Sequence, residues 1–232
     1  MMPFMFDPTF ILILPAILLA LYAQGKVKST YAKYSSYAAK SHITGAELAQ
    51  RLLKDQRING VEIELVHGHL TDHYDPRKKI LRLSPEIYHG TSLAALGITA
   101  HEVGHAVQHD EGYTMLVLRN MIVPFASIGS QAAFPLLFIG LILGSQALAG
   151  LGVMVFMFAV AFQLITLPVE YNASSRALAF LSDGRYVTEE EEKPVKRVLD
   201  AAALTYVAAT AMAIMQLLRL LMISGLLQRN ED

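Results

Sequence analysis

The chain has no cysteine. That excludes disulfides, cysteine-ligated zinc and thiol catalysis. Charge is scarce, at 17 % of 232 residues, and balanced to a net −1. A basic nucleic-acid-binding protein is excluded by that balance. Disorder is excluded by a hydrophobic content of 53 % and a mean hydropathy of +0.39. There is no internal repeat and no low-complexity linker. The length allows one domain, or one and a half.

In three windows charge is missing altogether. Between Asp7 and Lys26 lie 18 residues without Asp, Glu, Lys or Arg, between Arg119 and Glu170 lie 50, and between Asp200 and Arg219 lie 18. None of these residues is a histidine. A bilayer core about 30 Å thick takes roughly 20 apolar residues in a helix. The windows therefore predict four spans, near 8–24, 121–144, 149–169 and 201–218, with Gly144, Gly150 and Gly152 marking the turn in the long window. A soluble chain of this size could not bury 50 uncharged residues in a row. The first span is short and carries Pro15. Its leading residues lack Lys and Arg, and Leu21 is a poor −3 residue before Ala23, so it reads as a retained anchor rather than a cleaved signal.

The expected organisation is an anchor over 1–24, a cytoplasmic α+β segment over 25–119, a helical hairpin over 120–169, a cytoplasmic helix and loop over 170–200, and a last span with its tail over 201–232. Orientation follows from Lys and Arg. Segment 24–119 holds 12 of the 19 and 170–200 holds five, while the N-terminus and the hairpin hold none. The positive-inside rule puts both basic segments in the cytoplasm and both termini outside, in a multi-pass protein of the plasma (inner) membrane.

Within 25–119, Thr44-Gly-Ala-Glu47 is a capping-box pattern that opens a helix, and Asn59-Gly60 is its expected end. Residues 61–65 alternate as a strand, 75–78 form a turn, and 79–84 read as a second strand. Thr91 or Ser92 caps a helix running to about Asp110, with Leu93, Leu96, Ala100, Val103 and Val107 as its apolar stripe. The acidic run Glu189–Glu192 after Thr188 reads as the first turn of the last helix.

The predicted helix from Thr91 or Ser92 to about Asp110 carries His101-Glu102-Val-Gly-His105. Two histidines at i and i+4 point the same way and can reach one Zn²⁺, and the glutamate beside the first can take a proton from metal-bound water. A catalytic zinc needs a third protein ligand and an open position. His109 lies about 12 Å along the helix from His101, too far to share the ion. Glu111 sits where metzincins place a ligand, but that class needs glycine at the position of Gln108. Glu170 returns to the same membrane side after two spans, and an acidic group at that boundary needs a partner, so topology favours it. Ser174 shares its helical face and is placed to hydrogen-bond a ligand histidine. Arg176 is a candidate for substrate carbonyls or for lipid headgroups, and His109 and Tyr171 are candidate oxyanion donors. His67, His69, His73 and His89 lack ligand spacing and read as surface residues.

Three segments together resemble the YugP-like family of bacterial membrane neutral zinc metallopeptidases. They are Thr99-Ala-His-Glu-Val-Gly-His-Ala-Val-Gln-His109, then Leu167-Pro-Val-Glu-Tyr-Asn-Ala-Ser-Ser-Arg-Ala177 after a hydrophobic hairpin, then Ala201-Ala-Ala-Leu-Thr-Tyr-Val207. The resemblance spans nearly the whole chain. It implies a membrane-bound zinc endopeptidase with His101, His105 and Glu170 as ligands and Glu102 as catalytic base. The layout is also similar to the HtpX and CAAX-protease group, in which a hairpin separates an HExxH helix from an ExxxD helix; here Ser174 stands where that group has Asp.

The reading is a mainly α integral membrane protein with about four transmembrane helices and a small cytoplasmic α+β portion. It is expected to be a gluzincin-like zinc metallopeptidase working near the membrane surface, with strands 61–65 and 79–84 offering an edge to an extended substrate. The alternative is a catalytically idle zinc-containing scaffold that recruits partner proteins, against which the intact Glu102 speaks. An intramembrane protease would need the histidine pair within a span. A transporter would need paired charges near mid-span. Expected partners are the lipid bilayer and a protein or peptide substrate, with a homo-oligomer or a regulatory membrane protein left open and nucleic acid excluded.

Overall fold

The computed structural model describes residues 8–226. The first seven residues of the expected anchor and residues 227–232 of the expected tail lie outside the described residues. The chain is mostly helical, with one small sheet. A 3₁₀ turn, Pro8–Ile13, leads into α1 (Leu14–Ser35). Pro15 falls in the first turn of α1, where a missing N–H costs no helical bond. Then come α2 (Gly45–Asp55), β1 (Glu62–Leu65), β2 (His73–Asp75), β3 (Ile80–Leu83), the one-turn α3 (Pro85–Tyr88) and α4 (Leu93–Asp110). Three long helices follow, α5 (Thr114–Ile142), α6 (Gln146–Asp183) and α7 (Glu189–Ile223).

Four helical segments are long and apolar enough to cross a membrane: Pro8–Ser35, Thr114–Ile142, Gln146–Asp183 and Glu189–Ile223. Each outruns its charge-free window. The window marks where lipid-compatible sequence stops, whereas the helix continues while packing supports it. The loop expected within 170–200 thus shrinks to residues 184–188. Of the three glycines expected at the hairpin turn, only Gly144 (φ +63°) lies there. Gly150 and Gly152 sit inside α6, and a Cβ on Gly152 would stand 2.7 Å from the Ala133 carbonyl oxygen of α5. Small residues permit such backbone approach where apolar helices pack without a hydrophobic drive.

Two compact units divide the chain. One takes its described residues from 1–23, 118–167 and 205–232, with a core of Ala133, Leu137, Val153, Phe156 and Leu220. It leaves large apolar side chains outward, among them Met121, Ile128 and Ile142. The other, Gln24–Val117 with Pro168–Leu204, holds the sheet and α2 to α4. Its core joins Leu48, Leu52, Leu81, Leu83, Leu96 and Leu181.

The capping box of α2 is reciprocal: the Glu47 N–H donates to Thr44 Oγ1 at 3.2 Å, and the Thr44 N–H donates to Glu47 Oε2 at 2.9 Å. The helix ends at Asp55, earlier than Asn59-Gly60 suggested. The sheet order is β1-β3-β2, with β1 parallel to β3 (Glu62 opposite Ile80) and β2 antiparallel to it (His73 opposite Arg82). Both edges of β3 are therefore taken, and the expectation that 79–84 offers an edge is corrected. β2 escaped the sequence reading because three residues are too few for an alternating pattern. Arg82, between buried Leu81 and Leu83, ties the strands by ion pairs to Glu64 (3.0 Å) and Asp75 (3.5 Å).

Candidate metal centre

Helix α4 starts where Ser92 Oγ accepts the Ala95 N–H at 3.1 Å, which settles the cap on Ser92. Its apolar stripe, Leu93 to Val107, is buried. The 3.6-residue repeat leaves His101 and His105 one turn apart on a common face, their rings edge-on with centroids 4.7 Å apart. Glu170 of α6, only 2 % exposed, brings Oε2 to 3.3 Å from His101 Nε2 and 3.6 Å from His105 Nε2. The two helices approach closely at Gly104, where a Cβ would stand 2.8 Å from the Ala173 carbonyl oxygen.

The remaining ring nitrogens are held. His101 Nδ1 lies 3.2 Å from Ser174 Oγ, and His105 Nδ1 lies 2.9 Å from Gln108 Oε1. Gln108 settles the tautomer of His105. Its Nε2 donates to the Val169 carbonyl at 2.8 Å and to Asn172 Oδ1 at 2.9 Å, both acceptors. Its Oε1 must then face His105 as an acceptor, so Nδ1 carries the proton. In the neutral ring this leaves the Nε2 lone pair facing the Glu170 carboxylate, two acceptors that a cation would join.

Distances support the same reading. The three ligand atoms lie within 4.8 Å of one another. Donors about 2.0–2.1 Å from a tetrahedral zinc stand about 3.3–3.4 Å apart. A direct charge-assisted N–H···O⁻ bond is shorter, about 2.7–2.9 Å. The observed 3.3 and 3.6 Å are nearer the spacing of ligands around one ion than that of a direct hydrogen bond. Two imidazole nitrogens with one carboxylate oxygen are also a donor set that suits zinc. The pocket demands positive charge: burial opposes a charged imidazole, yet the Glu170 carboxylate holds the His105 pKa above its ordinary value.

Glu102 is buried beside the histidines, and its charge reaches both His105 and Asp72. Asp72 precedes β2 and accepts from the Ser84 N–H (2.7 Å) and hydroxyl (3.1 Å); burial, with the Glu102 charge behind it, pushes its carboxyl up. His109 is not drawn into the ligand group: its Nδ1 meets the Tyr74 hydroxyl at 2.9 Å. Burial pushes that Tyr74 hydroxyl up to about 12. The Arg176 guanidinium is committed to Asn172 Oδ1 (2.8 Å) and Glu111 Oε2 (2.7 Å), so Glu111 serves this ion pair. Tyr171 is 48 % exposed, and His67, His69, His73 and His89 all lie on the surface. Gln108, Asn172, Asp72 and Tyr74 were missed by sequence reasoning. Only Gln108 carried a signal in the sequence, its place three residues after His105 and so on the same helical face.

A family model described as "Putative neutral zinc metallopeptidase" matches residues 9–225. The chain is 50 % identical over 213 residues to the Bacillus subtilis (strain 168) protein named "Putative membrane protease YugP", covering 91 % of this chain and 94 % of that one. No solved structure matches the chain.

Proposed function

The chain belongs to the YugP-like family of neutral zinc metallopeptidases, and on that premise we propose that it is a membrane-embedded zinc endopeptidase cutting membrane-associated or cytoplasmic proteins near the membrane surface. The observation that carries the reading is the convergence of His101 Nε2, His105 Nε2 and Glu170 Oε2 with both Nδ1 atoms already engaged. These three residues would hold the metal in a gluzincin-like site, two of them on the HExxH helix α4 and the third on α6. Zinc, when bound, supplies Lewis acidity toward the scissile carbonyl and toward water.

The rest of the chemistry belongs to the chain. Glu102 takes a proton as the water oxygen bonds to the carbonyl carbon, and delivers it to the amine nitrogen as the C–N bond breaks. One peptide and one water give an acid and an amine, and Glu102 returns to its starting state. Ser174 and Gln108 hold the ligand rings in orientation. The Lys and Arg distribution supports four spans in the plasma (inner) membrane with this site on the cytoplasmic side.

The test is metal content and cleavage of a quenched-fluorescent peptide library by detergent-purified full-length protein. Wild type and Glu102→Gln should each carry one zinc per chain, with cleavage lowered at least about 100-fold in Glu102→Gln. His101→Ala and Glu170→Ala should lose the metal. Stoichiometric zinc in Glu170→Ala would refute the third ligand, and a zinc-loaded wild type that cuts nothing would favour the scaffold.

A further inference from the structure

A cavity of about 600 Å³ opens between α1 and α7 and shares no residue with the metal centre. Lys26 and Lys33 of α1 and Arg197 of α7 line it, together with Thr30, Asp200 and Leu204. Its charge is uncompensated. Among the described residues no carboxylate pairs with Lys26, Lys33 or Arg197. Arg197 donates to the neutral Tyr34 hydroxyl at 2.9 Å, and the Lys33 ammonium stands 5.4 Å over the same ring. The one acid of the lining, Asp200, has both oxygens taken by Lys196, at 2.8 and 2.7 Å. Three like charges around one cavity repel one another unless an anion joins them.

Chain position says which anion. Lys26 is the first charge after the apolar stretch of α1, and Ala201 and Leu204, on the cavity wall, begin the apolar stretch of α7. The cavity thus sets cations and a hydroxyl beside Ala201 and Leu204, at the point in the chain where the apolar stretches of both helices begin or end. Its volume is that of a small-molecule site. We propose that this cavity binds the phosphate-bearing headgroup of an anionic glycerophospholipid, its acyl chains running along α1 and α7.

The proposal rests on reading α1 and α7 as membrane spans. That reading fails separately, if the protein purifies from cells in aqueous buffer without detergent. The test is native mass spectrometry of the full chain in detergent, with dioleoyl-phosphatidylglycerol, dioleoyl-phosphatidylcholine and inorganic phosphate as probes. The expected result is retention of phosphatidylglycerol over phosphatidylcholine. A Lys26→Gln/Lys33→Gln variant should bind it on the order of thirty-fold more weakly, about fivefold for each cation. Lys26→Arg/Lys33→Arg should keep the affinity, as should Lys40→Gln, which breaks a pair with Glu190 elsewhere. Both cavity lysines are exposed, so circular dichroism should show the glutamine variant folded. Equal retention of the two lipids, or an unchanged glutamine variant, overturns the proposal. Displacement of the lipid by an equal concentration of inorganic phosphate overturns the lipid assignment.

Discussion

Gly104 lies between the two histidines and does no chemistry, yet replacing it should disarm the site. In Gly104→Ala the new Cβ would stand 2.8 Å from the Ala173 carbonyl oxygen and 3.3 Å from two further backbone atoms of the same residue. Ordinary contact begins at about 3.4 Å, so α4 and α6 must part by about 0.6 Å there. The obstacle is backbone inside a helix, so it cannot swing aside as a side chain would. Ala173 is three residues from Glu170, and the shift carries that carboxylate away from His101 and His105. Metal ligation tolerates only about 0.2 Å. Zinc affinity should fall at least about tenfold, while overpacking costs about 1–3 kcal/mol of stability. The assay is chelator competition for zinc, beside a thermal melt. Gly25→Ala is the control, because a Cβ on this helical glycine meets nothing within 4 Å. If Gly104→Ala binds zinc like wild type, the close approach of the helices does not set the ligand geometry.

What could be read from the sequence followed the reach of local rules. The helix carrying His101 and His105 was legible because i and i+4 share a face whatever the rest of the chain does. That Glu170 meets the two histidines was foreseeable because a hairpin of two long apolar helices separates them in sequence. The four apolar helices were legible because lipid tolerates no charge. Their ends were not, since α6 passes from apolar to polar sequence at Glu170 without a break. Gln108 shows the other limit. In sequence it served only to argue against a metzincin turn. In the fold it joins His105 to the Val169 carbonyl, 61 residues away, a pairing no local pattern encodes. Arg176 is similar: its partner Glu111 is 65 residues distant, so neither a lipid nor a substrate role was decidable from its neighbours.

Two further outcomes follow from these contacts. Gln108→Leu removes the acceptor of the His105 proton and should weaken zinc binding about 10–100-fold. Gln108→Glu keeps that acceptor but cannot donate to the Val169 carbonyl, so it should hold zinc within severalfold and lower the melting temperature; equal zinc loss in both variants would deny Gln108 a positioning role. The second outcome concerns acid. The Thr44 N–H donating to the Glu47 carboxylate holds that group below its ordinary pKa of 4.5. A depressed carboxylate stabilises the fold above its unfolded pKa, and that contribution is lost as pH falls through the folded value. Wild-type melting temperature should therefore drop as pH falls below 4.5. In Glu47→Gln the amide oxygen still accepts the Thr44 N–H but does not titrate, so this variant should lie close to wild type at neutral pH and have a shallower acid limb. Coincident acid limbs would mean that the capping box contributes through shape alone, and that the Glu47 charge adds nothing to the start of α2.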